Sequence, residues 1–128
     1  MSIQIPISYG ELIDKITILE IKFARIDDPG KRANVERELT VLNDAWHHAG
    51  VDAARIAPAR RQLKAINERL WDIEDAIRDK EAAKTFDDAF TELARSVYQT
   101  NDERAAVKRI INEQLGSDLI EEKSYQPY

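Results

Sequence analysis

Arg104 and Lys108 stand four residues apart in the stretch NDERAAVKRIIN, residues 101–112. The apolar stripe leading into it is Phe86, Phe90, Leu93 and Val97, and one helical phase continues through Asn101, Arg104 and Lys108 to Ile111 and Leu115, with Asn112 on the flank. Two cations thus fall on the face that should meet a core. Like charges one turn apart repel mildly, and an anion between them removes that cost. The guanidinium offers a planar fork for a carboxylate or phosphate, and the amides of Asn101 and Asn112 add donors. Two glutamates are misplaced in the same sense. Glu20 projects about 40° from Ile16, and Glu74 about 20° from Leu63, each inside the apolar arc of its own helix. Buried charges need partners or water, so these four residues on three helices are expected to share an interior.

Two chemistries follow from that set. In one, Arg104, Lys108, Glu20, Glu74, Asn101 and Asn112 form a ligand-binding site for a small anion. Such a site on a helical bundle extends to an enzyme acting on a carboxylate or phosphate substrate, with electrostatic stabilisation as its main device and acid–base work falling to a glutamate. In the other, the charges are a structural network that fixes helix register and adds no chemistry. A third outcome is a phase change. Thr100-Asn101-Asp102-Glu103 has the T-x-x-E form of a capping box, and a helix restarting there turns both cations toward the boundary of the apolar face. No catalytic residue is assigned. His47 and His48 are adjacent and point apart, so they do not make a metal site, and no cofactor motif occurs.

The elements that must position these residues read as helices. Ser8-Tyr9-Gly10-Glu11 is a capping box, followed by Leu12, Ile16, Leu19, Phe23 and Ile26 on one stripe. Asp28-Pro29-Gly30 ends that helix and opens a second, whose stripe is Val35, Leu39, Leu42, Trp46 and Ala49, closed by Gly50. After a connector with one helical turn, a long third helix runs from Pro58 to about Lys84 on Ala59, Leu63, Ile66, Leu70, Ile73 and Ile77. Thr85 caps the fourth, Phe86 faces inward, and Gly116 ends it. A last turn from Ser117 to Lys123 is a fifth element, and residues 124–128 form a tail. Residues 1–7 alternate, with Ile3, Ile5 and Ile7 on one side, as an edge strand or an extended arm.

Composition narrows the partners. The 128 residues make one domain, carry a net charge of −5 and contain no cysteine. That balance argues against nucleic acid, which needs a concentrated basic face. It also excludes thiolate chemistry and accords with a reducing cytoplasm. No apolar run approaches the roughly 20 residues of a membrane span, and the N-terminus lacks the pattern of a secretory signal.

The blocks IPISYGELIDKITILEIKFARI, INERLWDIEDAIRD, NDERAAVKRIIN and EEKSY resemble those of a small uncharacterised bacterial family of the domain-of-unknown-function type. The resemblance covers nearly the whole chain. It implies a setting connected with envelope polysaccharide and brings no catalytic residues. The expectation is an all-α, antiparallel bundle of four to five helices with a short extended N-terminal segment. Its leading function is a non-enzymatic interaction or accessory module that forms a homo-oligomer, with the unpaired Ile3, Ile5 and Ile7 together with Ile18 and Ile21 as the contact. The alternative is the small-anion site.

Overall fold

The computed structural model describes residues 1–128 and is all-helical. Four helices follow one another: α1, Tyr9–Arg25; α2, Pro29–His48; α3, Ala57–Ala82; and α4, Asp88–Leu115, with a 3₁₀ turn at Ala53–Ile56 before α3. Their ends are set by local chemistry. The Ser8 hydroxyl accepts from the Glu11 N–H at 3.1 Å, and the Asp28 carboxylate accepts from the Lys31 N–H at 2.8 Å. Gly116, with φ 64°, closes α4, and the Ser117 N–H then donates to the Asn112 carbonyl at 2.8 Å.

The sequence-based boundaries need correction around the third connection and the chain ends. The cap of α4 is Asp87, whose carboxylate accepts from the Phe90 N–H at 3.0 Å. Thr85 belongs to the turn before it: Lys84 takes φ 53°, and the Thr85 N–H is bonded back to the Lys80 carbonyl. Phe86 therefore lies in the loop and is 58% exposed, where the wheel had placed it inward. The T-x-x-E at Thr100 does not interrupt α4, which runs unbroken with Thr100 buried inside it. Residues 117–128 form no helix, so the expected fifth element is absent, and residues 1–8 form no strand.

The packing order explains the burial. α2 approaches α1 and neither of the other long helices, whereas α1 also contacts α3 and α4. α1 is thus the centre of the molecule and is covered on two sides. Its buried residues are Gly10, Leu12, Ile13, Asp14, Ile16, Thr17, Leu19 and Ile21, too many for a single stripe. Leu12, Ile13 and Ile16 join Trp46, Leu63, Ile66, Val107 and Ile111 in the main core cluster. The far halves of α3 and α4 behave differently. Between Trp71 and Gln99 no residue is buried; Ile73, Ile77, Phe90, Leu93 and Val97 are only half-buried. That part of the α3–α4 pair projects beyond α1, which reaches α3 as far as the Arg25–Asp72 ion pair.

At Gly10 the backbones of α1 and α4 come close together. The Gly10 N–H donates to Asn112 Oδ1 at 2.7 Å, which satisfies one of the free amides of the first turn of α1. A Cβ there would overlap the Lys108 carbonyl oxygen and sit 2.9 Å from Asn112 Oδ1. The first turn of α1 therefore rests directly on the backbone of α4. Gly10→Ala is expected to lower stability by about 1–3 kcal/mol through overpacking, although alanine is the better helix former by about 1 kcal/mol. Urea unfolding measures it. Gly30→Ala, in the open first turn of α2, should stay within about 0.5 kcal/mol of the parent; equal effects at the two glycines would contradict the contact.

Candidate functional site

The helix contact brings a carboxylate under the two cations. Asp14 is 1% exposed and lies on the side of α1 turned toward α3 and α4. Arg104 donates to it through two nitrogens, Nε to Oδ1 at 3.0 Å and Nη2 to Oδ2, a bidentate clamp. Asn67 on α3 donates Nδ2 to the same Oδ1 at 2.9 Å and to Thr17 Oγ1 at 3.1 Å. The Thr17 hydroxyl in turn donates to the Asp14 carbonyl at 2.9 Å, so its oxygen is oriented to accept from Asn67. Three helices are joined by one acid.

Lys108 extends the cluster one turn along α4. Its Nζ lies 2.7 Å from Glu11 Oε2, 2.7 Å from Glu121 Oε2 and 3.8 Å from Asp14 Oδ2, and the side chain is 8% exposed. Burial works against the ammonium, but the hydrogen bonds to Glu11 and Glu121 outweigh it and raise the Lys108 pKa above its ordinary value. The Arg104 pKa is raised chiefly by its hydrogen bonds to Asp14. The Glu121 carboxyl is lowered, mainly by its hydrogen bond from Lys108. Every buried side-chain nitrogen and oxygen in the protein has a hydrogen-bond partner.

The residues singled out from sequence are placed as follows. Arg104, Lys108, Asn101 and Asn112 do come together along α4. Asn101 Oδ1 is 3.5 Å from Arg104 Nη1, and Asn112, 2% exposed, carries the Gly10 bond. Neither glutamate is an ion-pair partner of these cations. Glu20 pairs with Arg60 at 3.5 Å and Lys64 at 3.9 Å on α3, while Glu74 is exposed and pairs with Arg78 at 3.2 Å. The acids that meet the cations are Asp14, Glu11 and Glu121, all missed by the wheel. Asp14 had a signal: Gly10, Asp14, Thr17 and Ile21 follow at four, three and four, a second stripe of small and polar residues beside Ile13. Glu121 had none, because it lies outside any regular element.

Two cavities flank Arg104. A cleft of about 370 Å³ has walls of Ile18, Ile21, Leu70 and Trp71, with Asn67 and Arg104 as polar floor and Glu74 and Asp75 at the rim. A smaller space of about 200 Å³ is lined by Glu11, Arg104, Ala105, Lys108, Glu121 and Lys123. Chemically, the arrangement holds charge in place and offers one surface, around Lys108, where a carboxylate arrives from a loose segment.

Truncating one member of a buried pair costs about 3–5 kcal/mol, because the other charge is left stranded. Asp14→Asn and Arg104→Met should each approach that loss in urea unfolding. The double variant should fall short of the sum by about 2 kcal/mol; strictly additive losses would mean that Asp14 does not hold Arg104. The lowered Glu121 carboxyl gives a pH signature. Its contribution is complete above the ordinary carboxylate value and is lost as pH falls through its depressed folded-state pKa. The difference in melting temperature between wild type and Glu121→Gln should therefore be present at neutral pH and vanish in strong acid. It should be small, since the Glu121 side chain is 42% exposed. A difference that grows on acidification would contradict the assignment.

No curated protein and no solved structure matches the chain. A family model does, and its description is a family of unknown function (DUF6165). The match spans residues 3–128 and takes in all four sequence blocks that suggested such a family. The chain accordingly belongs to this family of unknown function.

Proposed function

We propose that the protein is a non-enzymatic interaction module, one antiparallel bundle, that self-associates through its N-terminal arm. The observation that carries the reading is the state of residues 1–7. They take part in no backbone–backbone hydrogen bond, and Ile3 and Ile5 are 90% and 70% exposed. An extended segment with free N–H and C=O groups and bare isoleucines is a template for another strand. Ile7 and the Ser8 cap root the arm on the body, so it is presented in one place. Beside it runs a groove of about 470 Å³ bordered by Val41, Leu42 and Ala45 of α2, and Val41 is itself exposed. Pairing of two such arms across a two-fold axis places Pro6 where its missing N–H does no harm and buries both sets of isoleucines.

Further support lies in the charged cluster. Arg104 and Lys108 are met by acids of the same chain, which suits a network that fixes how the helices seat. Opposed ordering of the contacts, Lys80 with Asp87 and Arg69 with Glu103, supports antiparallel neighbours. No helix is long and apolar enough to cross a membrane. The setting we infer is the cytoplasm of a bacterium, in connection with envelope polysaccharide; it rests on the cysteine-free composition and the sequence resemblance.

Sedimentation velocity at micromolar concentration tests the assembly. Wild type should run above its 14.7 kDa chain mass. The Ile3→Asp/Ile5→Asp double variant should run as a monomer with an unchanged helical spectrum. A wild-type protein sedimenting as a clean monomer would overturn the proposal.

A further inference from the structure

We infer that Lys108 anchors a binding site for a small oxyanion, a carboxylate or phosphate, and that Glu121 of the chain's own tail occupies it in this structure. The inference is independent of self-association. It rests on a contrast between a fixed cation and a loosely held acid.

Lys108 is fixed. Its stem is buried in α4, and its ammonium is held from below by Glu11 and Asp14. Glu121 is not fixed. It lies in a segment without helix or strand, and after the Ser117–Asn112 bond that segment makes no backbone–backbone hydrogen bond. Its other links to the body are side-chain contacts at the surface, among them Glu122 with Arg109 at 3.2 Å, the Tyr128 hydroxyl with Asp102, the Tyr128 ring edge-on to Tyr98, and Leu119 and Ile120 beside Ile7. Such contacts are worth little each, so moving Glu121 disturbs the fold little.

Charge then decides what may replace it. With Glu121 swung away, Arg104, Lys108 and Lys123 face Asp14 and Glu11, an excess of one positive charge around the 200 Å³ space. Asp14 is already clamped by Arg104. A nearly buried ammonium that loses one of two close carboxylates is undercompensated, and an incoming oxyanion at the Glu121 position restores the balance. Arg104 has a nitrogen, Nη1, whose only hydrogen-bond contact is the long one to Asn101 Oδ1 at 3.5 Å. With Lys123 it supplies donors for further oxygens of the guest. The volume suits a compact anion. Glu121 acts as a tethered competitor at high local concentration.

The test is thermal unfolding of the full chain titrated with sodium succinate or sodium phosphate at ionic strength held constant with sodium chloride. Either oxyanion should raise the melting temperature of wild type in a saturable way. Glu121→Gln, measured against its own baseline, should reach half-saturation at roughly tenfold lower concentration. Glu122→Gln, its tail neighbour, should titrate like wild type. Lys108→Met should fold and lose the response. Should it fail to fold, Lys123→Met, on the exposed tail, serves instead and should weaken the response several-fold. A rise with succinate alone assigns a carboxylate guest, and one with phosphate alone a phosphate. The inference is overturned if Glu121→Gln and Glu122→Gln titrate alike, or if chloride at matched ionic strength gives the same rise.

Discussion

A carboxylate with almost no access to water organises this protein. A carboxylate so placed needs several donors, because the desolvation of one ion costs several kcal/mol. Arg104 reaches it from α4 and Asn67 from α3, while the Thr17 hydroxyl, on the next turn of α1, donates to the Asp14 backbone carbonyl and accepts from Asn67. Those donors leave α1 no freedom to slide or rotate against its neighbours, since a one-residue slip would strand the acid and the guanidinium together. The apolar core alone does not impose that condition. Leu12, Ile16, Leu63 and Ile111 are similar in size and shape, and cores tolerate such residues in more than one register. Fixing the register also fixes how near the helices come, and the glycine at position 10 is the result: only a residue without a side chain lets the start of α1 lie on the Lys108 carbonyl.

The surface charges play a lesser part. Pairs such as Lys84 with Glu81, Arg95 with Glu92 and Arg78 with Glu74 are solvated and hold little free energy. They do keep a chain that is one-third charged from presenting large fields of one sign. The cation over Trp71, Arg25, is a similar case. It lies 5.8 Å from the ring centre and is also paired with Asp72, covering an aromatic that sits at the edge of the packed region.

Much of this was legible in the sequence wherever one residue acts on its own helix. The Ser8 and Asp28 caps, the α2 stripe through Val35 and Trp46, and the closing glycines at 50 and 116 are local devices, and local devices read well. The helical phase also put Arg104 and Lys108 on the inner face of α4. What escaped depended on a neighbour. A wheel drawn through Leu12 and Ile16 treats the rest of α1 as solvent-facing, yet α1 is central and buries a second face through Gly10, Asp14, Thr17 and Ile21. Asp14 was hidden for that reason. Glu74 was misjudged for the converse reason: α3 leaves the packed region after Asp72, so an apolar arc there no longer means an interior. Glu20, half-buried on α1, meets two cations of α3, Arg60 and Lys64. The Thr85 cap lost to Asp87 because Lys84, without being glycine, adopts the left-handed turn that carries the chain past it.

The unburied outer part of the α3–α4 pair gives the chain two regimes of backbone opening. Helical hydrogen bonds between Ile73 and Gln99 are protected by a seam only two helices thick, so their amides exchange with solvent through local melting well below the global unfolding free energy. Melting that starts from the Thr85 turn travels down both helices until it meets Asn67 and Thr100, where the buried residues begin. Thr100 and Glu103 stand at that frontier. The capping-box spelling that is idle in the intact helix would then satisfy the newly freed N–H groups of a shortened α4. The sequence therefore carries a spare helix start at the border between its unburied and buried halves, a place where fraying of the outer half would meet a ready cap before it reached the Asp14 cluster.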